Sequence, residues 1–120
     1  MPFAAIAAFL LALAVGLGAF GAHALKERLD AYSLGVWEKA VFYHIVHALG
    51  MLVVASMGKL RESTAELVCW FLLAGILLFS GSLYILALTG TRALGAVTPF
   101  GGVAFLIAWG VLGWSLFRSS

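Results

Sequence analysis

Along this chain, polar residues gather in three connections that separate four long apolar runs. The runs are Pro2 to Leu25, Ala40 to Gly58, Leu67 to Thr91, and Ala93 to Phe117 with its entry near Pro99. A helix needs roughly 20 residues, at about 1.5 Å of rise each, to cross about 30 Å of hydrocarbon. Each run is near or above that length. The pattern predicts an all-α, four-helix membrane bundle in one domain, with spans at about 3–25, 40–58, 66–88 and 99–117.

The first connection, Lys26 to Lys39, is polar overall, yet Leu25, Leu29, Tyr32 and Val36 keep helical spacing. An amphipathic segment lying in the interface is expected there, with Tyr32 and Trp37 at headgroup depth. The second connection carries Lys59, Arg61 and Glu62; the third carries Arg92 and a Thr98-Pro99 helix-start signal. Connections one and three share one membrane face, and the second shares the other with both termini. Lys26, Arg28, Lys39 and Arg92 therefore oppose Lys59, Arg61 and Arg118, a balance too even to set orientation.

Composition sharpens the membrane assignment. The chain is 64% hydrophobic and 10% charged, with mean hydropathy +1.13, whereas about a quarter of residues are charged in soluble domains. A net charge of +2, small and dispersed, argues against a nucleic-acid partner, and no run of basic residues exists to bind phosphate or anionic lipid strongly. The single cysteine, Cys69, excludes an internal disulfide. Ala22-His23-Ala24 imitates a signal-peptidase site, but no Lys or Arg precedes it and the apolar stretch exceeds the roughly 7 to 15 residues of a signal core, so a retained helix is expected. Gly16, Gly18, Gly21, Gly81, Gly101 and Gly102 are the expected helix-packing positions. So small a bundle leaves helix surface to pack against a second copy or another membrane protein, besides the lipid bilayer.

The candidate chemistry lies on the second run. Trp37, Ala40, His44, His47 and Met51 fall on one helical stripe. Counting rise from the boundaries brings His23, Tyr43, His47, Ser80, Ser82, Tyr84, Arg92 and Thr98 toward the face of connections one and three, as a one-sided polar pocket with His44 nearer its rim. Three readings stay open. The polar groups can hydrogen-bond the bundle together in a non-catalytic accessory or interaction protein. His23, His44 and His47, with Met51, can ligate Cu or Zn, or two histidines can ligate haem, in a redox component. Alternatively they relay protons or pass a small molecule as a transporter. Ser80 and Ser82 lack an acidic orienter within the spans, so no catalytic set is expected. The first reading, with no cofactor, is the expectation.

Four ordered stretches, GAFGAHAL from Gly18, YHIVHAL from Tyr43, LFSGSLYILALTG from Leu78 and TPFGG from Thr98, carry a resemblance. The chain resembles the small inner-membrane family catalogued as domain of unknown function 423, relatives of transmembrane protein 256. The resemblance implies four membrane helices and no established chemistry, and it carries over no catalytic residues. Its motifs fall on His23, Tyr43, His47, Ser80, Gly81, Ser82, Tyr84, Thr98, Pro99, Gly101 and Gly102, while the His44 position varies among relatives. The more basic tails of relatives imply cytoplasmic termini in a bacterial inner (plasma) membrane.

Overall fold

The computed structural model describes residues 1–120 and contains helices and turns without strands. Four helices are long and apolar enough to cross a membrane: α1 Phe3–Leu25, α2 Ala31–Ala55, α3 Glu62–Thr89 and α4 Thr98–Ser119, the last preceded by a 3₁₀ turn over Arg92–Ala96. The all-α membrane architecture read from the runs therefore holds. The ends of two helices differ from the hydropathy boundaries, for local reasons. The amphipathic segment is helical, but it forms the opening turns of α2 rather than a separate interfacial piece. Asp30 caps that helix, with Oδ1 accepting the Ser33 N–H at 2.7 Å, and no proline follows before the apolar run. Gly90, at φ 72°, ends α3 in the left-handed conformation that glycine adopts without a Cβ penalty, and its N–H reaches the Leu86 carbonyl.

The bundle is a rod of 49 × 26 × 22 Å. α2 packs between α1 and α3, and α3 between α2 and α4. One apolar core joins all four helices through Phe3 and Ala7, Met51 and Val54, Val68 and Leu72, and Phe105 and Ala108. Cys69 is buried within it. This core fills the half nearer the second connection. The other half holds smaller clusters around Leu25, Trp37 and Ala87 and around Ala40, Leu83 and Leu86.

Without a strong hydrophobic drive between helices in lipid, close approach decides which faces pair. A Cβ on Gly101 would lie 2.3 Å from the Phe79 backbone nitrogen, so α4 meets α3 backbone to backbone. Reciprocally, a Cβ on Gly75 would lie 2.3 Å from the Phe105 ring. Gly21 seats the indole of Trp37, and Gly50 seats that of Trp109. Gly18 makes ordinary contact with Val41 and Gly102 with Phe79. Gly16 and Gly81, expected as packing positions, are not: a side chain at either would meet nothing within 4 Å. Both sit off the contact faces, and a glycine promotes packing only where its bare face meets a neighbour.

Two wide π turns interrupt the regular ladder, Gly21–Leu25 at the end of α1 and Ile76–Ser80 within α3. Such turns change which way the following residues face and often mark sites under special demand. The second spans Phe79 and Ser80, the residues that receive Gly101 and reach α2.

Candidate functional site

The stripe on α2 is the spine of the site. Trp37, Ala40, His44, His47 and Met51 are all buried, as are Ala48 and Val54. Trp37, expected with its ring among the headgroups, turns that ring into the bundle instead. It is buried, and its Nε1–H donates to the Leu17 carbonyl of α1 at 2.9 Å beside Gly21. An indole needs one acceptor when it leaves water, and the end of α1 supplies it. Its place on the buried stripe was the available signal.

His44 is the more deeply engaged histidine rather than a rim residue, at 2% exposure. Its Nδ1 lies 2.8 Å from the hydroxyl of Tyr84 on α3. The phenol satisfies its proton only by donating to Nδ1, which places the proton of a neutral ring on Nε2. Nε2 is buried and has no hydrogen-bond partner. The Leu10 carbonyl of α1 approaches this ring, outside hydrogen-bonding geometry.

His47 faces α4. Its Nδ1 donates to the Tyr43 carbonyl one turn earlier at 2.7 Å, leaving Nε2 as an acceptor. The imidazole stacks on the Phe105 ring with centroids 3.5 Å apart and planes 12° apart. Tyr43, Phe79, Phe105 and Trp109 surround it, lining a groove of about 480 Å³ between α2 and α4 whose exposed lip includes Val103 and Leu106.

The remaining polar groups pair locally. The Ser80 hydroxyl donates to the Ala40 carbonyl at 2.8 Å across α3 and α2. Ser82 and Thr98 share a 2.6 Å bond between α3 and the start of α4, and Ser82 also donates to Phe79. Arg92 lies outside this set: its guanidinium stands 5.0 Å from the Tyr32 ring centroid, tying the third connection to the start of α2. His23 is exposed at the end of α1 and joins neither buried histidine. The expected single pocket is thus a series of interhelical pairs, because each donor finds the nearest carbonyl or hydroxyl instead of a shared centre. Nor do His23, His44, His47 and Met51 assemble as ligands, since no group of three His, Cys, Asp or Glu side chains lies within reach of one metal ion.

Comparison with known proteins places this geometry in a family. No solved structure matches the chain. A UPF0382 membrane protein of Staphylococcus saprophyticus is 50% identical over 97 residues, covering 81% of each chain. The UPF0382 membrane protein YwdK of Bacillus subtilis is 52% identical over 99 residues, covering 81% of this chain and 80% of the relative. A further UPF0382 membrane protein, from Staphylococcus epidermidis, is 49% identical over 100 residues, covering 83% and 82%. The family described as "Protein of unknown function (DUF423)" matches residues 17–102, from the Gly18 contact through the buried stripe to the Gly101 seat. The chain belongs to this family, and it is a membrane protein.

Proposed function

We propose that this chain is a non-catalytic accessory protein of the membrane, working by contact with another membrane protein and without a metal or haem of its own. The observation that carries the reading is how the polar groups at membrane depth are used. Trp37, His44, Ser80, Ser82, Tyr84 and Thr98 are engaged within the bundle, while the groove between α2 and α4 stays open and aromatic. Helices in lipid associate through shape and occasional polar contacts, because lipid tails are as apolar as leucine. A cleft of four aromatic rings with the Nε2 acceptor of His47 offers both to a partner helix bearing a hydroxyl or amide donor. A transport role would require a polar path through the half built by Met51, Val54, Val68 and Leu72, whose buried side chains are apolar.

In the same reading the membrane is a bacterial plasma membrane with cytoplasmic termini. Supporting the orientation are the more basic tails that the family resemblance implies, since this chain's own cations, Lys26, Arg28, Lys39 and Arg92 at one end against Lys59, Arg61 and Arg118 at the other, favour neither leaflet.

The test is photo-crosslinking in native membranes from probes at Val103, Leu106 and, as a control, the lipid-exposed Leu13 of α1. Discrete adducts from Val103 and Leu106 alone are expected, and Gly102→Leu, which narrows the groove, removes them. An adduct of twice the chain's mass identifies the partner as a second copy. Equal adducts from all three probes, or none, overturn the reading. A visible spectrum and metal analysis of the same material test the redox alternative, which requires a Soret band or a stoichiometric metal.

A further inference from the structure

Lys59 and Arg61 stand in the connection between α2 and α3, and Arg118 in the last turn of α4. Folding brings all three to one groove of about 300 Å³ between that connection and α4, with Thr64 and Ser115 in its lining and Trp114 at its edge. No carboxylate lines it. Glu62 and Glu66 line a different groove against α1, where Glu66 pairs with the amino group of Met1 at 3.0 Å, the one ion pair of the chain. The two signs of charge are therefore segregated on this face, and the three cations have no counter-ion within 4.0 Å. Like charges held around one concavity repel until an anion enters, and the concavity concentrates their field.

The neighbouring surface says what kind of anion fits. Trp114 is 62% exposed and Phe117 72% exposed, and their rings stack with centroids 5.9 Å apart. Aromatic rings at the end of a span sit at headgroup depth, so the groove opens beside a surface suited to acyl chains. A phosphate carrying such chains meets both features, whereas a free phosphate meets only the cations.

We propose that the groove of Lys59, Arg61 and Arg118 is a binding site for the phosphodiester headgroup of an anionic phospholipid, with the acyl chains laid over Trp114 and Phe117. A choline headgroup is a poor occupant, because its ammonium group would be brought among three cations. A lysine or arginine near an anionic bilayer surface contributes about 1 kcal/mol, which corresponds to about fivefold in affinity for each cation and about 100-fold for all three.

The experiment is native mass spectrometry of the full chain in detergent, with equimolar phosphatidylglycerol and phosphatidylcholine. Retention of phosphatidylglycerol in preference to phosphatidylcholine is expected, falling by about 100-fold in the triple variant Lys59→Gln, Arg61→Gln, Arg118→Gln. The variant Lys26→Gln, Arg28→Gln, Lys39→Gln removes as much charge from the opposite face and keeps the preference. Equal retention of the two lipids overturns the proposal, as does preference surviving the first triple variant or vanishing in the second. Inorganic phosphate that displaces phosphatidylglycerol at equal concentration overturns the lipid assignment in favour of a free-anion site. Thiol labelling of the buried Cys69 reports whether each variant is folded. Should the first triple variant expose it, Arg118→Gln alone, on an exposed last turn, decides through its own fivefold loss.

Discussion

Replacing Gly101 by alanine tests the contact that sets the spacing of α3 and α4. The added Cβ would lie 2.3, 2.7 and 2.8 Å from the nitrogen, Cβ and Cα of Phe79. Backbone atoms cannot rotate away, so α4 must retreat by about 1 Å to reach ordinary contact, and a gap of that size forfeits about a quarter to a half of each dispersion well it opens. The same retreat lifts Phe105 from its seat on Gly75 and from His47. Overpacking of this kind costs about 1–3 kcal/mol, and a rigid neighbour places it near the upper figure. Alanine returns up to about 1 kcal/mol of helix propensity, leaving a net loss of about 2 kcal/mol. Gly16→Ala gains the same propensity with nothing within 4 Å to obstruct it, so the two variants should differ by about 3 kcal/mol. The single cysteine makes the measurement simple. Cys69 is 1% exposed in the core, and its labelling by a thiol reagent across an SDS titration in mixed micelles reports unfolding. Gly101→Ala proving as benign as Gly16→Ala would refute the backbone-to-backbone contact.

Three other outcomes follow from the same geometry. Tyr84→Phe leaves both nitrogens of His44 without a partner and should cost about 0.6 kcal/mol, with about 1.7 as the upper range for such bonds in a membrane; His44→Leu with Tyr84→Phe should recover part of it, and a strictly additive cycle would sink the pairing. Gly21→Ala drives a Cβ to 2.4 Å from the Trp37 Nε1, breaking the bond to Leu17 at about 1–3 kcal/mol, and Trp37→Phe should make it milder; thermal unfolding followed by tryptophan emission decides. The Ser33 backbone N–H, the Ser33 hydroxyl and the Arg92 cation outweigh the opposing effect of burial and hold the Asp30 carboxyl below its ordinary 3.8, so its support for α2 is complete above that value and lost as pH falls through the lower folded one. Protection of the amides in the first turn of α2, referenced to their intrinsic exchange rate at each pH, should fall with acid in the native chain and stay flat in Asp30→Asn, and equal acid responses would remove Asp30 as the cause.

The four spans and the buried stripe of α2 were legible because hydropathy and helical spacing are local quantities. The ends of α2 were less so, since hydropathy marks where lipid ends while a capping carboxylate marks where a helix begins, and Asp30 lies well ahead of Ala40. Trp37 carried two local signals that disagreed, an aromatic near the interface and a place on the buried stripe, and the carbonyl of Leu17 settled it for the stripe. Among the glycines, identity alone could not separate Gly16 and Gly81, which face open space, from Gly50 and Gly75, which receive rings of α4.

By itself, then, the sequence determined what the chain lives in, how many times it crosses and which face of α2 turns inward, because each depends on residues a few positions apart. Only the tertiary structure decided who meets whom. It paired His44 with Tyr84 and left His23 outside, since helix rotation and the π turn in α3 set side-chain direction across helices. It also turned dispersed charge into a site. Lys59, Arg61 and Arg118 form no basic run, and they share one groove because the α2–α3 connection and the last turn of α4 lie side by side at the same end of the bundle.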